Sequence, residues 1–126
     1  MKEHLIKEYT YEIKKSKFIG LMFHVESKEE VKSILDELKK EHKKARHIPY
    51  AYKIGSIASK SDDKEPNNTA GMPIYNILEN KKLENTLIVV VRYFGGTKLG
   101  AGGLFRAYME AARGVTDEIQ VEKISN

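Results

Sequence analysis

A chain of 126 residues with 40% apolar and 32% charged side chains has room for one hydrophobic core, and its balance excludes fibrous, disordered and membrane-embedded classes. It has no cysteine, which excludes disulfides, zinc–thiolate sites and cysteine nucleophiles, and its longest aliphatic run, Leu87 to Val91, falls far short of the roughly 20 residues that span a bilayer. The net charge of +4 suits weak attraction to phosphate-rich partners without requiring any, and Met1-Lys2-Glu3-His4 is not followed by the apolar stretch of a secretory signal, so a single cytoplasmic domain over residues 1–126 is expected, with no membrane partner.

Tyr9 to Ile13 and Phe18 to Val25 are rich in β-branched and aromatic residues around the polar break Lys14-Lys15-Ser16-Lys17, which predicts a hairpin. Ser27 followed three residues later by Glu30 is a capping-box pattern. The helix it opens carries Val31, Ile34, Leu35 and Leu38 on one stripe, with Lys39, Lys40, Lys43 and Lys44 toward the end where the helix dipole favours cations. Pro49 stops it, and Tyr50 to Ile54 reads as a third strand. From Gly55 to Asn68 the chain is polar and reads as a long loop; Ala70 to Leu78, with Pro73 in its first turn, reads as a short helix. Leu87 to Val91 predicts a strand buried on both faces or in the middle of a sheet. Leu104, Ala107, Tyr108, Ala111, Ala112 and Val115 form an unbroken helical stripe, followed by a weak segment from Ile119 to Ile124.

Two segments carry candidate chemistry. Arg92 to Arg106 follows a strand and opens a helix, and five of the nine residues from Gly95 to Gly103 are glycine: Gly95, Gly96, Gly100, Gly102 and Gly103. Glycine permits tight turns and close approach, and the first N–H groups of a helix are unpaired donors that favour an anion. Arg92, Lys98 and Arg106 add positive charge, and the segment contains no acid. The standard phosphate-loop patterns fail: Gly95 and Gly100 have the Walker spacing without the following Lys-Ser/Thr, and Phe105 stands where a dinucleotide fingerprint needs glycine. The alternative is a glycine-rich turn that only packs a helix against a strand.

The second segment, Ser61 to Pro73, holds Asp62, Asp63 and Glu65, enough acids in principle for a divalent cation but not at EF-hand spacing. Turn formation or a cross-site salt bridge is the plainer reading of the same residues. His42 and His47 lack the i, i+4 spacing of a helical metal pair, although His47 could face the site. Tyr50, Tyr52, Tyr75, Tyr93 and Phe94 could stack on bases, yet aromatics at strand positions usually belong to a core. Ser61, Thr69 and Thr97 have no activating base in sight. No catalytic residue, metal or cofactor is assigned, and Thr69 and His47 join the candidate binding residues.

The strings Lys17-Phe18-Ile19, Ala45-Arg46-His47, Ala51-Tyr52-Lys53-Ile54-Gly55, Ser61 to Ile74 and above all Val91 to Tyr108 resemble the Impact family, over about Lys15 to Gly114. The resemblance implies an α+β, two-layer α/β sandwich like the second domain of ribosomal protein S5: a mixed sheet of about four strands with helices on one face. It also implies a link to translation. Eukaryotic relatives restrain a translation-regulating kinase by competing for its activating partner, bacterial ones are expected near the ribosome or on nucleic acid, and no catalytic activity comes with the family. Where the family pattern has glycine, this sequence has Lys64 and Asn68, so a turn needing positive φ would send the acidic loop along another path here. The chain ends soon after its last helix, so the ferredoxin-like second domain of many bacterial relatives and the extra N-terminal domain of eukaryotic ones are expected to be absent.

The leading expectation is a binding module of translation that contacts RNA or a ribosome-associated protein through Arg92, Lys98, Arg106 and the glycine-loop backbone, with Asp62, Asp63 and Glu65 shaping the rim. The alternative is a small magnesium-dependent hydrolase or phosphotransfer enzyme using the acidic loop. A third reading makes the glycine motif purely structural. Oligomeric state is left open.

Overall fold

The computed structural model describes residues 4–125, with side chains described as far as Asp117. Strands β1 (Leu5–Ile13) and β2 (Ser16–His24) form the expected hairpin, each starting earlier than its alternation suggests, with β2 stopping one residue sooner. Lys14 and Lys15 make the turn with φ of 48° and 68°, the sign pattern of a type I′ turn, whose twist matches that of the flanking strands.

Helix α1 (Lys28–Glu41) starts at Ser27, whose Oγ accepts a hydrogen bond from the Glu30 N–H at 3.2 Å. The Glu30 carboxylate reaches back one residue further than a standard capping box, accepting from the Glu26 N–H at 2.8 Å. After α1 the backbone runs beside the end of the central strand. The Arg46 N–H donates to the Arg92 carbonyl and the Arg92 N–H to the His47 carbonyl.

Strand β3 (Tyr50–Ile54) matches expectation, but part of the stretch read as loop is a fourth strand, β4 (Ile57–Ser61), paired antiparallel to β3. It lies at the sheet edge and is largely exposed, so it has no buried face to give it an apolar alternation. Helix α2 (Gly71–Asn80), strand β5 (Thr86–Tyr93) and helix α3 (Gly100–Ser125) complete the chain, and α3 absorbs the segment from Ile119 to Ile124.

The class is α+β, as expected, with a sheet of order β1-β2-β5-β3-β4. Three details of the expectation are corrected: the sheet has five strands, every pairing is antiparallel rather than mixed, and helices lie on both faces. The reason for the last is the central strand. Ile88 and Val90 face Phe18, Met22 and the apolar sides of α2 and α3, while Leu87, Val89 and Val91 pack with Leu21, Phe23, Tyr52 and the Val31-Ile34-Leu38 stripe of α1. Five consecutive fully buried aliphatic side chains on one strand require cover on both sides.

Candidate functional site

A cleft of about 330 Å³ opens at the end of the sheet where β5 leaves the core and α3 begins. Four pieces of chain build it: Arg46 and His47 from the stretch before β3, Lys64 to Pro66 from the acidic loop, Arg92 and Phe94 from β5 and its exit, and Lys98 to Ala101 with Leu104 from the start of α3.

The acidic loop is a frame. The Asp62 carboxylate accepts from three backbone N–H groups: Asn68 at 2.9 Å, Ala70 at 3.1 Å and Gly71 at 2.8 Å. It thereby supplies the N-terminal cap of α2 that Ala70, at the cap position, cannot provide. Asp63 Oδ2 accepts from the Ile48 N–H at 2.6 Å, and the Asp63 carbonyl accepts from His47 Nδ1 at 2.7 Å. Thr69, buried, donates its hydroxyl to the Pro66 carbonyl at 2.6 Å. Lys64 and Asn68 have φ of 70° and 62°. Both positions adopt the left-handed backbone that glycine favours, and a non-glycine side chain bears the strain there.

Glu65 turns inward beneath the cleft. Its Oε2 accepts from Arg92 Nη1 at 2.6 Å and from the Tyr108 hydroxyl at 2.5 Å, and its Oε1 lies 3.6 Å from His47 Nε2. Glu65 and Arg92 are 7% and 6% exposed, so this is a buried ion pair. Burial, reinforced by the Glu65 carboxylate, pushes the Tyr108 hydroxyl well above the usual phenol range and keeps it a donor. Arg92 Nε is buried without a hydrogen-bond partner, and the guanidinium lies 5.7 Å from the Phe18 ring and 5.6 Å from the Phe94 ring. The expectation that Arg92 is a cation available to a ligand is corrected: its charge is matched by Glu65, because the buried end of β5 accepts a cation only with a partner.

The mouth is different. Lys64, Lys98 and Arg46 are exposed, and Arg46 stacks its guanidinium 4.7 Å from the ring of Phe94, itself 36% exposed. Gly100, with φ of +76°, opens α3 and presents the first N–H groups of a long helix to the same space. Gly95 serves close packing: a Cβ there would lie 2.1 Å from the Lys15 carbonyl group, and its N–H donates to Ser16 Oγ at 3.0 Å.

Of the residues singled out in the sequence, the cleft brings together His47, Glu65, Arg92, Lys98 and Gly100, while Asp62, Asp63 and Thr69 brace the loop behind it. Gly95, Gly96, Gly102, Gly103 and Arg106 are outside its lining. Arg106 is two residues past Leu104, about 200° around the helix, and so faces away. Arg46, Lys64 and Phe94 line the cleft but stand outside the binding residues that the sequence suggests: Phe94 carries the signal of a core aromatic, Lys64 that of a turn residue, and Arg46 no signal beyond its place beside His47. Among the described residues no three His, Cys, Asp or Glu side chains converge as metal ligands.

Residues 14–116 match the family model of the Impact N-terminal domain. The chain belongs to the Impact family. The family member YvyE of Bacillus subtilis (strain 168) is 44% identical over 104 residues, 80% of this chain and 48% of its own length. YigZ of Escherichia coli (strain K12) is 40% identical over 102 residues, 77% of this chain and 50% of its own. The chain thus spans about half the length of these Impact relatives. A crystal structure of a hypothetical protein superposes with a TM-score of 0.85 at 35% identity, covering 88% of this chain and 56% of that one. The two-domain translational regulator Yih1 superposes with a TM-score of 0.53 at 25% identity, covering 91% and 46%. No helix among the described residues is long and apolar enough to cross a membrane.

Proposed function

We propose that this Impact-family chain acts in the regulation of translation as a binding module, and that its cleft receives a phosphate-bearing RNA strand. The translational link is carried over from Yih1, a solved relative in fold described as a translational regulator. The observation that carries the RNA reading is the clustering of exposed cations around a partly exposed aromatic ring at one mouth. Lys64, Lys98 and Arg46 surround the exposed Phe94 and the open N-terminus of α3, the combination that holds a phosphate while a base stacks on a ring. Binding is favoured over magnesium-assisted catalysis because Asp62, Asp63 and Glu65 already accept hydrogen bonds from protein donors. A ribosome-associated protein is the competing partner class.

The test is fluorescence anisotropy with single-stranded RNA across a salt series. Affinity should fall with salt by a slope of about −0.7 per phosphate contacted. Lys98→Glu should weaken binding by on the order of tenfold or more while changing stability by less than about 0.5 kcal/mol, since Lys98 is exposed. Undetectable RNA binding, or a Lys98→Glu variant that binds as the wild type does, would remove this reading.

A further inference from the structure

One titratable side chain in the cleft has both of its hydrogen-bonding atoms turned toward acceptors. His47 Nδ1 lies 2.7 Å from the Asp63 carbonyl oxygen, and its Nε2 lies 3.6 Å from Glu65 Oε1. A carbonyl oxygen only accepts, so Nδ1 carries a proton whether the ring is neutral or charged. The neutral ring therefore turns a lone pair toward a carboxylate, and only the imidazolium supplies a donor on that side. The backbone on either side of the ring is held in place: the His47 carbonyl accepts from the Arg92 N–H at 2.9 Å, and the Ile48 N–H donates to Asp63 Oδ2 at 2.6 Å. The side chain is 18% exposed and lines the cleft, so solvent protons and a ligand both reach it.

We propose that His47 makes the cleft a proton-linked anion site: the imidazolium shares Glu65 with Arg92, the floor gains a net positive charge, and the RNA strand binds with uptake of a proton. This extension rests on the RNA reading of the cleft. The groups around the ring set the sign. From the acidic loop, the carboxylates of Glu65 and Asp63 favour the imidazolium and Lys64 opposes it. Arg92 on β5, Arg46 on the ring's own segment and Lys98 before α3 oppose it as well, while Tyr108 on α3 stays a neutral donor to Glu65. With Glu65 matched by Arg92 alone the floor is neutral, so a proton on His47 leaves it with one positive charge in excess. A phosphate in the cleft offsets the repulsion from those cations. By reciprocity, a ligand that favours the protonated ring binds more tightly once the ring is protonated.

The test uses a 5′-hydroxyl oligouridylate of about twelve nucleotides, whose uracils and phosphodiesters keep one charge state across the range in which imidazole titrates. At low salt, affinity should rise on the order of tenfold from about pH 8 to about pH 6, within the ceiling of roughly tenfold per pH unit that one linked proton allows. His47→Gln retains an N–H for the Asp63 carbonyl but cannot be charged, and its affinity should be flat over the same range. His4, His24 and His42 lie outside the cleft lining and titrate alike in both proteins. Calorimetry of the wild-type chain near neutral pH, in buffers of different ionisation enthalpy, should show proton uptake on binding. A His47 that only holds the Asp63 carbonyl would take up none, and this measurement needs no variant to fold. Wild-type affinity independent of pH, or the same rise in His47→Gln, overturns the proton link and leaves the RNA cleft standing. No RNA binding by the wild-type chain at either pH overturns both.

Discussion

The acidic loop and the glycine-rich loop meet at one cleft, yet they use polar groups in opposite ways. From Ser61 to Ala70 every carboxylate is bonded within the protein: Asp62 to three N–H groups, Asp63 to the Ile48 N–H, Glu65 to Arg92 and Tyr108. From Gly96 to Gly102 the chain is exposed apart from half-buried Leu99, and among the described residues the side chains of Thr97 and Lys98 make no hydrogen bond. The richer set of charges is therefore scaffold and the sparser set is surface. In a sequence the two look alike, because charge content does not reveal whether a charge is already answered from inside.

The sharpest way to break that contrast is to remove the answer to a buried charge. Glu65→Ala leaves Arg92 buried without its counterion and Tyr108 without its acceptor, and should destabilise the fold by about 3–5 kcal/mol in denaturant unfolding. Glu65→Met combined with Arg92→Met should recover much of the loss, since an apolar pair of similar volume often replaces a buried ion pair at little cost. A loss below about 1 kcal/mol in Glu65→Ala would mean that the acidic loop is no more a frame than the glycine loop is.

Asp62→Ala ranks second. It strips the cap from α2 and leaves the Asn68, Ala70 and Gly71 N–H groups to find water, at an expected cost of about 1–2 kcal/mol. RNA affinity at the mouth should change far less than in Lys98→Glu, because Asp62 does not line the cleft. Equal losses of binding in the two variants would dissolve the division between frame and surface.

The large features of the fold were legible because their signals are local and periodic. The Val31-Ile34-Leu38 stripe, the Leu104 to Val115 stripe and the aliphatic run at Leu87 each specify a face to be buried. β4 was not legible: an exposed edge strand has no apolar alternation, and only its pairing with β3 defines it. At the site, the sequence singles out both the glycine loop and the acidic loop, and the structure brings Lys64 to Pro66 and Lys98 to Ala101 to one cleft. What local sequence could not supply was direction. Arg92 and Arg106 are equally cationic on paper, but one is drawn into the core by Glu65 and the other turned away by the helical period. Arg46 reaches the mouth through the backbone pairing of its neighbour His47 with Arg92, a contact between residues 45 positions apart.

The smallest expected effect bears on Lys64, the residue that belongs to both regions. Its backbone is held in the left-handed frame of the acidic loop, while its exposed side chain lines the cationic mouth. Lys64→Gly should therefore separate the two roles. Relief of the φ strain is worth about 1–2 kcal/mol, less up to about 1 kcal/mol for the greater freedom of glycine in the unfolded chain, so a net gain of about 0.5–1 kcal/mol is expected. RNA affinity should fall in the same variant, with a salt slope smaller by about 0.7. Lys64→Asn should retain part of the stability gain, since Asn tolerates the left-handed region, and show the same loss of slope. A stability gain without a change in slope would place Lys64 wholly in the frame, and the cleft would then hold its phosphate through Lys98, Arg46 and the start of α3 alone.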